Sequence, residues 1–65
     1  MDVEFRNHGS IWIIRPLSHA AHDWIDEHIP PDAMRFGANG IVIEHRYVGD
    51  IAQGMADDGL QIEEG

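Results

Sequence analysis

The stretch IWIIRPLSHAAHDWIDEH, residues 11–28, decides the fold because it joins a strand signal directly to a helix signal. Its first four residues are β-branched or aromatic, which favours a strand, and Pro16 ends that strand. Ser18 is a preferred N-cap residue, so we expect a helix from there through about His28. The proline pair at 30–31 stops this helix.

The predicted strand is apolar on both faces. Alternate side chains of a strand point to opposite faces, so Ile11 and Ile13 share one face while Trp12 and Ile14 share the other. The strand is therefore either covered on both faces or presents Trp12 to a partner. If the helices cover the Ile11/Ile13 face, Trp12 lies open to a partner or to a second copy of the chain.

The first helix has one apolar and one polar arc at 100° per residue. The apolar arc holds Leu17, Ala20, Ala21, Trp24, Ile25, His28 and Ile29. The polar arc holds His19, His22, Asp23, Asp26 and Glu27. We expect Trp24, at the centre of the apolar arc, to pack on the sheet.

The remaining pattern predicts a short strand at 3–5, a β-hairpin, a second helix and a last strand at 60–62. The hairpin joins 34–36 to 41–44 through the loop 37–40, whose glycines suit such a turn. The second helix runs from about Arg46 to Asp57, with an apolar stripe of Tyr47, Val48, Ile51, Ala52, Met55 and Ala56. Gly59 occupies the position of a helix C′ glycine, and residues 63–65 are expected to form a frayed acidic tail.

The predicted order is β-β-α-β-β-α-β, which indicates a small α+β domain with a mainly antiparallel sheet and both helices on one face. Sixty-five residues make one domain, 1–65. A chain of this size buries only about 60% of its unfolded surface, so its stability is marginal, and small folds often gain stability by oligomerising. A homodimer is therefore left open.

The charge is strongly one-sided. Twelve carboxylates face four cations, all of them arginine, for a net charge of −8 and a pI near 4.7. Such a field repels nucleic acid and anionic membranes and attracts basic surfaces. The chain has no cysteine, which fits a reducing cytoplasm. Its acidic N-terminus and the lack of an 18-residue apolar run predict neither signal peptide nor membrane span.

No motif in the chain carries a catalytic signature, so we expect no enzyme activity, no catalytic residue and no cofactor. Ser18 is explained as a helix cap rather than a nucleophile, and Gly37-x-x-Gly40 lacks the lysine of a phosphate-binding loop. His19, His22, Asp23 and Asp26 have spacings that can bring ligands to a metal, but a solvated helix face looks the same. We expect no metal site. His28 is either a buried pH switch or, as we favour, a residue whose charge suits the helix C-terminus.

The acidic residues are the remaining candidates for a binding site. The candidate binding residues are Asp23, Asp26, Glu27, Asp57, Asp58, Glu63 and Glu64. They form either a solubility surface or a mimic of DNA phosphates. Duplex DNA carries one charge per about 1.7 Å of axis, and the proteins that grip it line a groove with basic residues. The absence of lysine favours mimicry, because a solubility surface usually mixes both signs.

Four runs carry a resemblance to a known group of proteins: GSIWIIRPLS (9–18), AxxWI (21–25), IExRYVxDI (43–51) and GMxxDGL (54–60). The chain resembles small acidic single-domain proteins of proteobacteria and their phages and mobile elements, and looks like a type I-C anti-CRISPR of the DNA-mimic kind. The motifs are fold-like rather than catalytic. The resemblance implies that the partner is a crRNA-guided surveillance complex and that the chain blocks binding of target DNA.

Three functional hypotheses follow. The first is a non-enzymatic inhibitor that occupies a basic nucleic-acid-binding groove on another protein. The second is an adaptor or structural protein in which Trp12 or Tyr47 anchors a hydrophobic interface. The third is a metal- or pH-responsive module using His19 and His22. One continuous acidic face favours the first hypothesis, and acids spread around an exposed apolar patch favour the second.

Overall fold

Among residues 1–37 and 39–64, five strands and two helices follow one another in the predicted order, and the fold is α+β. The computed structural model describes residues 1–37 and 39–64, so Ala38 of the predicted hairpin loop and Gly65 of the predicted tail lie outside the described residues. The elements are β1 Val3–Asn7, β2 Ile11–Pro16, α1 His19–His28, β3 Arg35–Phe36, β4 Gly40–Glu44, α2 His45–Asp57 and β5 Ile62–Glu64.

The strands form one sheet in the order β3-β4-β2-β1-β5. The pairs β1/β2, β2/β4 and β3/β4 are antiparallel, while β5 runs parallel to β1. The strand with the strongest sequence signal, β2, is therefore the central strand. In the hairpin Phe36 pairs with Gly40. The predicted loop 37–40 is thus one residue too long, because Gly40 belongs to β4.

The helices cover the Trp12/Ile14 face of β2 rather than the Ile11/Ile13 face. Ile14 is fully buried in the same core as the buried residues of both helices, and Trp12 is half-buried against that core. The Trp12 indole N–H donates to Nδ1 of His45, with 3.0 Å between the two nitrogens. The premise that would leave Trp12 open to a partner is therefore wrong, because this face supplies the core.

The core lies between the sheet and the two helices. The largest fully buried side chains are Phe5, Ile14, Ile41, Met55 and Val3. From α1 the core receives Ala21, Trp24 and Ile25, with Ile29 just after the helix. The Ser18 hydroxyl accepts from the Ala21 N–H at 3.2 Å, as expected of the N-cap.

The buried arc of α1 is narrower than the sequence predicts. Ala20 and His28 are exposed, and Leu17, which precedes the N-cap and so lies outside the helix, is 52% exposed. The buried stripe of α2 is also narrower than the sequence predicts. Val48 and Met55 are buried, whereas Tyr47 is 47% exposed.

The C-terminus of α2 is closed by a Schellman motif around Gly59, whose φ is +87°. The Gly59 N–H donates to the Ala56 carbonyl and the Leu60 N–H to the Met55 carbonyl, both at 3.0 Å. Leu60 thus belongs to the helix cap, which makes the predicted strand at 60–62 wrong in its bounds. The predicted frayed tail is also wrong for Glu63 and Glu64, which pair with β1.

Asp2 ties the start of the chain to its end. Its carboxylate accepts from the Gln61 N–H at 2.8 Å, and its backbone N–H donates to the Gln61 carbonyl at 3.0 Å. Its own carbonyl accepts from the N–H groups of Leu17 and Ser18 at the entry to α1. The Gln61 N–H, together with the Ser18 side chain, holds the pKa of Asp2 below its ordinary value of 3.8.

We expect Asp2→Asn to lower the melting temperature at pH 7 and to lower it less as the pH falls. A depressed folded-state pKa stabilises the folded chain above the unfolded value, near 3.8, and this contribution disappears as pH falls through the folded value. Thermal melts at pH 7, 5, 4 and 3 measure the difference. Asp32→Asn, the same charge change in the exposed turn after α1, is the control. A deficit that stays constant down to pH 3 would contradict this role of the Asp2 charge.

Within the described residues, neither helix is long and apolar enough to cross a membrane.

Candidate binding surface on the helices

Most of the negative charge of the chain lies in its helical layer. The helices and their connecting turns, residues 18–34 and 45–60, carry seven of the twelve acidic residues and one of the four arginines. All seven acids are exposed: Asp23, Asp26, Glu27, Asp32, Asp50, Asp57 and Asp58. Arg6, Arg15 and Arg35 lie on strands. With a net charge of −6 against −2 for the remaining residues, the helical layer is the more acidic side of the molecule.

Three of the candidate binding residues line one groove, which we call the acidic groove. Asp23 and Glu27 come from α1, and Asp58 is the C-cap residue of α2. Ala20, Trp24 and Leu60 complete its lining, and its volume is about 400 Å³. Carboxylates from two helices thus face one concave space, where they can hold the cationic head of a lysine or arginine side chain.

The other candidate acids lie elsewhere. Asp57, in the last turn of α2, accepts a hydrogen bond from the Gln53 side chain at 3.1 Å. Asp26 is exposed on α1 but does not line the acidic groove. Glu63 and Glu64 lie on the edge strand β5, where successive side chains point to opposite faces of the sheet.

Trp24 forms the wall of the acidic groove and is held by three contacts. Its indole N–H donates to the Asp58 carboxylate at 2.7 Å. Its ring stacks on His28, with 4.1 Å between centroids and 13° between planes. A Cβ on Gly54 would lie 3.0 Å from Cζ2 of this ring. Gly54 weakens α2 as a helix, and its position against Trp24 supplies the reason for a small residue there.

Sequence reasoning missed the bond between Trp24 and Asp58. The two residues are 34 positions apart, and neither a helical period nor a turn motif connects them. The only available signal was that a buried indole N–H usually has a hydrogen-bond partner. That rule predicts a partner for Trp24 without naming it.

A second groove, the apolar groove, is also lined by Trp24 and lies between the end of α1 and the first half of α2. Its volume is about 420 Å³. Its apolar walls are Trp24, Ile29, Pro30, Ala33, Ile43 and Ile51, and the exposed residues His28, Tyr47 and Asp50 complete the lining. Trp24 is common to both grooves, so they are neighbours on one surface.

Arg46, the only arginine of the helical layer, lies next to Tyr47. Its guanidinium carbon is 4.9 Å from the centroid of the Tyr47 ring, and its Nε lies 3.4 Å from the carboxylate of Glu44. Arg46 therefore has an anionic neighbour of its own, and its charge is offset locally rather than by the acids of the two grooves.

The histidines do not assemble a site. Among residues 1–37 and 39–64, no three His, Cys, Asp or Glu side chains are placed to hold a metal ion. His28 is exposed rather than buried, and its Nδ1–H donates to the Trp24 carbonyl at 2.8 Å. The buried-switch alternative for His28 thus lacks the burial that it requires.

The face of the sheet opposite the helices carries a smaller concavity of about 270 Å³. Ile13 forms part of it and is only 5% exposed, although it lies outside the main core. Arg6, Arg15 and Phe36 also line it, and Glu4 lies 3.3 Å from Arg6. This face carries cations next to an acid, in contrast with the helical layer.

Comparisons with protein-family models, with curated proteins and with solved structures give no match for this chain.

Proposed function

We propose that this chain is a non-enzymatic inhibitor whose helical layer enters a basic nucleic-acid-binding groove on another protein and takes the place of the DNA phosphates. The observation that carries the proposal is the concentration of negative charge on the helical layer, which holds −6 of the net charge of −8. Seven exposed acids lie on the helices and their turns, and three of the four arginines lie on strands. Such an acidic side is complementary to a groove built to hold phosphates.

The positions of the acids also support a cationic partner. Asp23 and Glu27 form a like-charge i,i+4 pair, which costs a helix about 0.2–0.5 kcal/mol. Asp57 and Asp58 lie at the C-terminus of α2, where the helix dipole disfavours anions by about 0.3–1 kcal/mol at exposed sites. A solubility surface does not require either placement. A basic partner offsets both costs when it binds.

The partner implied by the resemblance is a type I-C surveillance complex loaded with crRNA, whose binding of target DNA the chain would block. We place this activity in the cytoplasm, in keeping with the absence of cysteine. The proposed contact is with protein alone and involves no metal, cofactor, membrane or direct nucleic-acid binding. A homodimer remains compatible with the proposal if its interface leaves the helical layer free.

Retention of target DNA by the purified complex, measured by gel shift while the chain is titrated, tests the proposal. We expect the retained DNA to fall as the chain is added, and more salt to reduce this effect steeply because exposed charges are screened beyond about 8 Å at physiological ionic strength. DNA retention that is unchanged by a large excess of the chain at low salt would rule out this target.

A matched pair of double variants tests the location of the contact. Asp23→Asn/Glu27→Gln removes two charges from the acidic groove, and Glu63→Gln/Glu64→Gln removes two from the edge strand β5. We expect the first variant to weaken inhibition at least tenfold, which corresponds to about 1.4 kcal/mol, and the second to weaken it far less. Since both variants change the net charge equally, an equal loss would indicate a general field rather than this surface.

A second candidate function is favoured by the apolar groove and the 47% exposure of Tyr47. These features suit an adaptor that binds its partner through an aromatic hydrophobic contact. Partner binding that is insensitive to salt, and is lost on Tyr47→Ser but not on removal of the acids, would favour the adaptor over the inhibitor.

A further inference from the structure

We infer that the acidic and apolar grooves bind one segment of the partner together, and that this segment is basic and amphipathic. It inserts an apolar side chain into the apolar groove and places lysine or arginine side chains at the acidic groove. This inference rests on the proposed function and specifies it, because a mimic that only replaced phosphates would not use the apolar groove.

Trp24 lines both grooves. Its ring is fixed by the bond to Asp58, the stacking on His28 and the close approach of Gly54. A rigid aromatic wall loses little conformational freedom on binding, which favours affinity. A ligand that extends past Trp24 from one groove therefore reaches the second groove.

Charge complementarity indicates that the partner segment bound in the two grooves is basic. Asp50 lines the apolar groove, and three carboxylates lie across Trp24 in the acidic groove: Asp23, Glu27 and Asp58. A neutral apolar segment covering both grooves would take these carboxylates out of water without pairing them, which is costly. A basic segment pairs them while its apolar side chain fills a groove within the size range of small-ligand pockets.

The test uses two synthetic 18-residue peptides and the full chain labelled with ¹⁵N. One peptide is made of leucine and lysine, with the leucines on one helical face, and the other has serine in place of every leucine. We expect the leucine–lysine peptide to bind at least tenfold more tightly. We also expect it to shift the Trp24 indole N–H signal but not that of Trp12, which is bonded to His45 instead.

Two variants locate the apolar contact. Tyr47→Ser removes an exposed side chain from the apolar groove, and we expect it to abolish the tenfold preference for the leucine–lysine peptide. Leu17→Ser removes an apolar side chain of similar exposure, 52% against 47%, that lines neither groove. We expect this control to keep the preference. Circular dichroism verifies that both variants fold.

Each of the contrary results contradicts a different step of the inference. Equal affinity for the two peptides removes the apolar contact but leaves the proposed function intact. Failure of both peptides to bind at low salt removes the basic partner and the proposed function with it. If the leucine–lysine peptide binds more tightly without shifting the Trp24 indole N–H signal, the contact lies elsewhere. The same holds if Tyr47→Ser keeps the preference for that peptide. A Trp24 signal that moves with protein concentration alone assigns the grooves to a second copy of the chain.

Discussion

Trp24→Ala is expected to leave most of the chain unfolded at room temperature. Trp24 is only 8% exposed and lies in the main core. Removing a buried tryptophan side chain typically costs about 3–5 kcal/mol. A domain of this length holds about 3–10 kcal/mol in total, at roughly 0.05–0.15 kcal/mol per residue. The loss therefore equals the whole stability at the lower end of this range, where a chain this short is expected to lie because it buries only about 60% of its unfolded surface.

Urea unfolding followed by far-ultraviolet circular dichroism measures the effect, and Trp24→Phe is the matched control. Phenylalanine keeps an aromatic ring next to His28 but removes the indole N–H that donates to Asp58 and the outer ring atoms that lie next to Gly54. We expect this control to remain folded and to lose about 1–3 kcal/mol. An alanine variant that unfolds cooperatively within about 1 kcal/mol of the parent would show that Trp24 does not organise the core.

Gly40→Ala is expected to destabilise the chain by about 1–3 kcal/mol, as overpacking of a filled site does. A Cβ at Gly40 would collide with the carbonyl oxygen of Phe36, its partner in the β3/β4 hairpin, and would lie 2.9 Å from Cγ2 of Ile13. The first contact is with backbone, which cannot move without opening the hairpin. The strain therefore falls on the β3/β4 pair and on the packing of Ile13.

Gly49→Ala is the control for Gly40→Ala, because the same substitution meets open space. No atom lies within 4 Å of a Cβ built at Gly49 in α2. Alanine is favoured over glycine in a helix by about 1 kcal/mol, so this variant should be more stable than the parent. Chemical denaturation of both variants measures whether each substitution raises or lowers the free energy of unfolding. Equal effects at the two positions would contradict the close approach at Gly40.

The groups of residues that form the candidate site were only partly predictable. The sequence indicated that acids cluster on α1 and at the end of α2, because a helical period places side chains on a common arc. It did not indicate that Asp58 lines one groove with Asp23 and Glu27, or that Trp24 lines both this groove and an apolar one. These neighbours come from segments far apart in the chain.

Local patterns determined the element order and several boundaries by themselves. Ser18 caps α1 as predicted, the prolines at 30–31 follow its end, and Gly59 closes α2. In each case the cause lies within a few residues. The Ser18 side chain accepts a hydrogen bond from a backbone N–H, proline has no backbone N–H to donate, and glycine is free to adopt a positive φ. Such causes are visible in the sequence because they act over one helical turn.

Tertiary structure alone decided which face of β2 is covered and where β5 pairs. Both faces of residues 11–14 are apolar, so the sequence pattern does not predict which face the helices cover. In the structure they cover the Trp12/Ile14 face. Glu63 and Glu64 enter a strand despite their charge. The hydrogen bonds of that strand are made by backbone groups of β1, and no side-chain pattern near residue 63 encodes a partner some sixty residues away.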